Sequence, residues 1–478
     1  MTLQGKTMQL SATAHEQAAP GNHNDVYLLI MFDSAGTAVL VERQGYEYRL
    51  PKIEIPKFRR PAQEVTEFLQ DFWRLSSVFL FSGVLKESPN APYFAVLESD
   101  DGMRLCPQGM EWFTLHHALS NLLFSKEEYR ALESSHARLT SRVHTNSSEP
   151  FARLGWMREL QDWVGSITRP LGWELKDFKQ LNGCETFSLI RFATSQQPVW
   201  FKAVGEPNLH EYRISQALAR LLPDFVPTIL GTKPEWNGWL MCDGCGATLD
   251  ESQDPSAWQT AITTLAELQI ASIDVADDLM QAGCRDLHLG TLLELVDPFL
   301  DTMAELMKQQ TKVPPPILSR QELSRLSVTI KDALHCLEAL PIPDTLGHSD
   351  FNPGNIIVGS ERCTFIDWAE AHVSHPFLTF EYFLSHLRKD YPALIQFEGD
   401  LRSSYAQRWQ AISSAQQVAE AFLFSPLAAV FAYAATGNAW RNPDRLKIPQ
   451  VPGYLRSLTR RMKQEAEMLQ RRRVECPN

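Results

Sequence analysis

The chain has no excess of basic charge. It carries 45 Lys and Arg against 57 Asp and Glu, a formal net charge of −12, and its pI is near 5.6. That argues against a nucleic-acid partner, which asks for a basic face; it is compatible with a cationic small molecule but identifies no pocket. There is no disulfide-like framework either. Eight cysteines lie scattered at Cys106, Cys184, Cys242, Cys245, Cys284, Cys336, Cys363 and Cys476, which reads as reduced thiols in a cytoplasmic protein. Cys242-Asp-Gly-Cys245 has no second pair at zinc spacing, so a structural reading is preferred to metal or redox chemistry. The polar, mixed N-terminus lacks an apolar core, and no secretion signal is expected. No charge occurs from Ala421 to Trp440, but Ser425-Pro426 and Gly437-Asn438 interrupt the run. About ten apolar residues between them fall short of roughly 30 Å of hydrocarbon, so a buried helix is expected and no membrane partner. Gly5-Lys6-Thr7 lacks the upstream glycine and preceding strand of a P-loop.

A hydrophobic content of 44% is ordinary for a globular protein, and 478 residues predict more than one domain. The most informative segment is His348-Ser-Asp-Phe-Asn-Pro-Gly-Asn355, followed by Phe365-Ile-Asp-Trp368. Phosphoryl transfer needs positioning and neutralisation of charge more than covalent chemistry. Asp350 can accept a hydroxyl proton. Asp367 and Asn355 can hold magnesium on a nucleotide, because that ion takes oxygen ligands and needs few from the protein. Pro353-Gly354 gives a tight turn, and the strand-like Asn355–Val358 and Cys363–Ile366 predict a hairpin that brings Asn355 and Asp367 side by side. The alternative is a surface Asp-Asn turn before a hairpin.

This pattern resembles the catalytic loop of aminoglycoside phosphotransferases and choline kinases, a protein-kinase-like family. The resemblance implies an α+β, bilobal fold with a small β-rich lobe at 151–245 and a larger helical lobe at 246–478. It implies ATP (or GTP) with Mg²⁺ bound between the lobes, and a small-molecule hydroxyl acceptor held among the helices of residues 250–340. In Phe178–Ile190, two strands flank Asn182-Gly183-Cys184-Glu185, and amides of such a turn can close over phosphates; Asn-Gly is also a common hairpin signal anywhere. Lys202 sits in the apolar strand Val199–Val204, where a lysine is costly unless paired. In the family the equivalent lysine contacts phosphates and pairs with a helix glutamate, here Glu211. The spacing of Asn208 and Glu211 would equally suit a helix cap. Gly238–Asp243 falls where the family has its inter-lobe hinge, with Met241 and Asp243 lining the nucleotide. Gln269 stands where family members usually have histidine and is given no catalytic role. Thr379 stands near where they commonly place an aspartate that steadies the catalytic loop, which puts full activity in doubt. His372 and His375 could be ligands but read as structural, and the acidic residues of Asp274–Asp278 and Asp297–Glu305 read as solvated faces.

Residues 1–22 read as disordered and 139–150 as a linker. Between them, strands at Val26–Phe32, Ala38–Val41, Tyr93–Leu97 and Glu111–Phe113, with Leu50-Pro51 before a helix from Pro61 to Leu75, resemble an α/β Nudix domain over residues 24–138. That fold's catalysis needs several glutamates on one helix face. Here Glu64 and Glu67 stand alone and Gln70-Asp71-Phe72-Trp73 follows, so a non-catalytic domain is expected. The function expected is ATP-dependent transfer of a γ-phosphoryl group to a hydroxyl of an amino alcohol, sugar or aminoglycoside-like molecule. The alternative is a weak or inactive nucleotide-binding scaffold. A protein kinase is disfavoured, because no Asp-Phe-Gly follows the hairpin and no long activation segment precedes Pro376. The sequence leaves the acceptor and the oligomeric state open.

Overall fold

The computed structural model describes residues 24–44, 47–57, 59–85, 91–100, 106–115, 124–140, 149–244 and 246–475. The expected disordered N-terminus, most of the expected linker, Cys245, Cys476 and the Gly5-Lys6-Thr7 segment lie outside these residues. The fold mixes β-rich and helical parts in two compact units, Met1–Tyr212 with Ile229–Asp243 and Arg213–Thr228 with Gly244–Asn478.

The first unit holds two sheets. The first sheet is built from β1 (Asn24–Phe32), β2 (Ala38–Gln44), β3 (Glu47–Arg49), β4 (Lys52–Pro56), β5 (Ser77–Val84), β6 (Tyr93–Ser99) and β7 (Met110–Thr114), in the order β3-β2-β1-β6-β5 with β4 pairing β1 and β7 pairing β2. Only β1 and β6 run parallel among these pairs. The alternation along β1 sends side chains to two faces. Leu29 and Met31 pack with Val65 and Leu69 under helix α1 (Pro61–Phe68), whereas Ile30 and Phe32 join a second core. Pro61 opens α1, where its missing N–H costs nothing. The single helix expected from Pro61 to Leu75 is not continuous. After Phe68 the chain widens into a π-type turn, Leu69–Trp73, and stops at Arg74, whose φ is 57°. The wider turn keeps Leu69 in the core and leaves Phe72 73% exposed.

The second core is shared between the two sheets. Helices α2 (Lys126–Thr140) and α3 (Trp156–Thr168) precede β8 (Leu175–Gly183), β9 (Ser188–Thr194) and β10 (Val199–Ala203). Helix α4 (His210–Leu221) then leads to β11 (Ile229–Lys233) and β12 (Gly238–Cys242). The second sheet runs β11-β12-β10-β9-β8, all antiparallel. Trp156 and Leu160 of α3 sit in one cluster with Ile30 and Phe32 of the first sheet and Ile190 and Phe201 of the second.

The second unit is mainly helical: α5 (Pro255–Ala271), α6 (Ala276–Ala282), α7 (Leu289–Lys308), α8 (Arg320–Glu338), α9 (Phe377–Asp390), α10 (Glu398–Trp409), α11 (Ala415–Thr436), α12 (Pro443–Leu446) and α13 (Gln450–Glu475). Asp254 caps α5, and capping boxes start α8 at Ser319 and α11 at Ser414. Two small sheets carry the loops of interest. In one, β13 (Ala247–Thr248), β16 (Ile356–Val358) and β17 (Cys363–Phe365) lie in sequence; in the other, β18 (Ala371–Ser374) lies between β14 (Arg285–Leu287) and β15 (Thr345–His348).

Pro426 does not interrupt the apolar run, contrary to expectation. It lies inside α11, a helix of 22 residues that is long and apolar enough to cross a membrane. The helix is apolar on all sides because α7, α8, α9 and α13 all pack on it, and 72% of its most apolar stretch is buried. Gln269, on α5, is also buried completely. Its Nε2 donates to the Pro376 carbonyl at 2.9 Å and its Oε1 accepts from the Tyr405 hydroxyl at 2.6 Å. Gln269 therefore ties three helices together. Gln269→Leu leaves a carbonyl and a hydroxyl unsatisfied, at about 1–3 kcal/mol each, and chemical denaturation should show a loss of that order; Tyr405→Phe should lose less.

Candidate functional site

The residues of the expected catalytic loop converge in the second unit. Strand β15 delivers His348, which is buried among Phe351 and Trp368. Its Nδ1 accepts from the Asp350 backbone N–H at 3.1 Å, and its Nε2 lies 3.3 Å from the Ile366 carbonyl. An acceptor at one nitrogen and a donor at the other require the neutral ring with its proton on Nε2. Burial lowers the His348 pKa, in keeping with that state. The backbone N–H of His348 donates to Thr379 Oγ1 at 3.1 Å.

Asp350 follows in a turn made by its neighbours. Asn352 Nδ2 donates to Asp350 Oδ1 at 3.0 Å, while Asn352 Oδ1 accepts from the Gly354 N–H at 2.9 Å. Asn355 Nδ2 donates to the Asp350 carbonyl at 2.9 Å and to Oδ2 at 3.3 Å. Each carboxylate oxygen thus holds one amide N–H and keeps a further lone pair. Burial pushes the Asp350 pKa up to about 6, opposed by the Asn352 hydrogen bond and reinforced by the Asp367 charge.

The expected hairpin forms. Ile356 pairs with Phe365, and the Ile366 N–H donates to the Asn355 carbonyl at 3.1 Å, which sets Asn355 beside the segment that carries Asp367. Asn355 itself belongs to a 3₁₀ turn, Pro353–Asn355, not to the strand. Asp367 has φ 66° and ψ 62°, a left-handed conformation that costs a non-glycine residue about 1 kcal/mol or more. With its Nδ2 used on Asp350, the Asn355 side chain presents Oδ1 as its remaining donor atom. That amide oxygen and the Asp367 carboxylate are hard oxygen donors of the kind a phosphate-bound magnesium takes. The set fits that ion in chemistry and number.

A small, half-open pocket of about 20 Å³, room for roughly one water molecule, lies at this loop; Ser349, His372, Thr379, Tyr382 and Tyr433 are among the residues lining it. Tyr382 and Tyr433 stack with centroids 5.1 Å apart, and the Tyr433 hydroxyl lies 3.0 Å from that of Tyr454. The tyrosines were missed in the sequence, since aromatic residues at helical spacing look like any core. Asn352 was missed as well, although its place two residues after Asp350 is the spacing at which an Asn side chain bonds a nearby backbone.

In the first unit, Lys202 is buried on β10 and its Nζ donates to Glu211 Oε1. Lys202 also lies 5.9 Å from the centre of the Trp239 ring. The ion pair expected from the sequence is formed, at the start of α4. Asn182 and Gly183 are not at the apex of their hairpin. Leu181 is bulged out of register, so Asn182 pairs with Leu189 and Gly183 with Ser188. The turn runs Cys184–Phe187, closed by the Cys184 N–H to the Phe187 carbonyl at 2.9 Å. Met241 lies on β12 opposite Trp200. Asp243 follows the strand, and its Oδ1 accepts from Trp200 Nε1 at 3.0 Å.

His372 and His375 are both buried, and burial lowers each pKa to about 3. His372 Nδ1 lies 3.1 Å from Ser349 Oγ. No cluster of three or more His, Cys, Asp or Glu able to hold a metal occurs among the described residues. Asp297 pairs with Lys331 at 2.6 Å on the surface, as a solvated face does.

Comparison with known proteins bears on this geometry. Residues 206–411 match the model of the phosphotransferase enzyme family, APH. Over that stretch the chain is similar to phosphotransferases. The match takes in Glu211, Asp350, Asn355 and Asp367; Lys202 lies just before it. No curated protein matches the chain. Among solved structures, it is similar to an ethanolamine kinase of Plasmodium vivax, at 14% identity and a TM-score of 0.42, over 73% of this chain and 92% of that one. It is also similar to the choline kinase LicA of Streptococcus pneumoniae, at 12% identity and TM-score 0.40, over 64% and 99%. A third is the macrolide 2'-phosphotransferase MphH of Brachybacterium faecium, at 14% and 0.39, over 63% and 97%.

Two predictions follow from these contacts. Thr379→Val removes the acceptor of the His348 N–H and should lower any turnover about ten- to a hundredfold through misplacement of the loop, while Thr379→Ser should keep most of it; steady-state rates of the two variants decide. Among the described residues, His375 has no hydrogen-bond partner at either ring nitrogen. Once unfolded, it binds a proton as pH falls through about 6.5, whereas the folded ring does so only near 3. Stability should therefore drop as pH falls through that window, by roughly 1.4 kcal/mol per pH unit from this ring. His375→Phe should flatten that slope in denaturation series from pH 7 to 5.

Proposed function

We propose that the chain is a small-molecule kinase that moves the γ-phosphoryl group of ATP (or GTP), with Mg²⁺, to a hydroxyl of an amino alcohol, sugar or aminoglycoside-like acceptor. The observation that carries this reading is the Asp350 carboxylate, held by the Asn352 and Asn355 amides beside the hairpin that presents Asp367. The family match over residues 206–411 supports it.

In this reading Asp350 takes or orients the hydroxyl proton of the acceptor, using the lone pairs that the two amides leave open. Asp367 and Asn355 Oδ1 hold the magnesium, which when bound neutralises charge on the nucleotide phosphates. Lys202 binds phosphate, and Glu211 fixes the ammonium in place and offsets the cost of its burial. The amides of the β8–β9 turn, with Asn182 and Gly183 at its base, lie over the phosphates. Met241 and Asp243 line the base of the nucleotide. The small pocket at Ser349, Tyr382 and Tyr433 would receive only the hydroxyl end of the acceptor, against ring faces and a few hydroxyls. The N-terminal sheet is a Nudix-like domain without catalysis of its own, and the protein works in the cytoplasm with its thiols reduced.

The second reading, a weak or inactive nucleotide-binding scaffold, draws its support from the degenerate Nudix-like domain, which still stands, and from the lack of an aspartate near Thr379. The Thr379 hydroxyl nevertheless bonds the catalytic loop, at the His348 N–H, so the latter support is weakened. An acceptor panel of amines, sugars and aminoglycosides tests the proposal. Asp350→Asn should lower turnover by about 10²–10⁴ with Mg²⁺-nucleotide binding retained. Phosphorylation that survives the substitution would overturn the assignment of Asp350.

A further inference from the structure

The turn between β8 and β9 is fastened to the N-terminal sheet at several points. Just before it, Gln180 is buried and bonds the edge strand β5 as another strand would. Its Oε1 accepts from the Phe79 N–H at 2.8 Å and its Nε2 donates to the Phe79 carbonyl at 3.0 Å. A Cβ at Gly183 would come 2.6 Å from Gln180 Nε2, so a side chain there would displace the amide that bonds Phe79. On the far side of the turn, Arg138 at the end of α2 reaches Glu185 at 3.3 Å while also gripping Glu149 at 2.6 Å, and its guanidinium lies 4.3 Å from the centre of the Phe81 ring. The Glu185 carbonyl accepts from the Phe151 N–H at 3.2 Å.

An isolated glycine-containing hairpin turn would be free to move over a ligand. This one is tied at its entry through Gln180 and at its apex through Glu185, both to the same N-terminal sheet and its helices. We infer that the N-terminal sheet domain is a brace for the β8–β9 turn, and that Arg138 and Gln180 are positioning residues for nucleotide binding. A prepositioned turn binds without the ordering cost of a mobile one. The link to nucleotide rests on the proposed function above; the fastening of the turn does not.

The full-length protein tests this with Arg138→Met, Glu185→Gln and the double variant, which remove a partly exposed ion pair and leave the buried Gln180 contact in place. The first readout needs no ligand: hydrogen exchange at the amides of Cys184–Phe187. Both single variants should speed exchange there about three- to tenfold, and the double variant no further than either alone. The second readout is the Kd for Mg²⁺-ATP, which should rise by a similar factor while Tm without nucleotide stays near that of the wild type. Unchanged exchange in both single variants would overturn the brace. Faster exchange with an unchanged Kd would overturn the link to binding. Wild-type protein with no Mg²⁺-ATP binding would sink the functional reading, and the exchange result would still decide whether the brace exists.

Discussion

The loop proposed to be catalytic hangs on the hydrogen bond from the His348 N–H to the Thr379 hydroxyl, together with the pairing of β15 with β18. That bond fastens the end of β15 to α9, while the Ser349 N–H holds the next residue to the Glu370 carbonyl at 3.0 Å. The His348 ring, held neutral by burial, takes the Asp350 N–H and reaches the Ile366 carbonyl. One imidazole therefore joins the loop that carries Asp350 to the strand end that carries Asp367. Such a ring must be dry to act as a fixed spacer, because a protonated ring could not accept from Asp350.

The cost of this arrangement falls on two carboxylates. Asp350 is buried enough for its pKa to rise to about 6, and Asp367 occupies left-handed backbone. Both would be unfavourable in a turn that had only to reverse the chain. Burial on one acid and backbone strain on the other, in neighbouring segments, accord with the proposed site for charged ligands. Lys202 and Glu211 show the same trait in the first unit, where two charges are buried together in an otherwise apolar setting.

Much of this was legible in the sequence because it is local. The hairpin after Asn355 was marked by two short apolar runs and a turn, and the lysine in an apolar strand announced its need for a partner. What failed was tertiary in origin. Pro426 looked like a helix end, but neighbours on every side of α11 keep that helix whole. Asn182-Gly183 looked like a turn apex, but the bulge at Leu181 moves the apex to Cys184–Phe187. Thr379 put full activity in doubt, and no spacing rule shows that a hydroxyl on α9 would meet the His348 N–H. The fastening of the β8–β9 turn to a sheet some hundred residues earlier, through Gln180 and Phe79, left no sequence signal at all.

The central claim is that Asp367 holds a metal on a bound nucleotide. Thermal stability with ATP, GTP or no nucleotide, each with and without Mg²⁺, on wild type and Asp367→Ala, tests it most directly. A nucleotide present at ~100 times its Kd should stabilise the wild type by about 2.7 kcal/mol, only with Mg²⁺, and the variant not at all. A shift of equal size in Asp367→Ala, or none in the wild type with either nucleotide, would contradict the account.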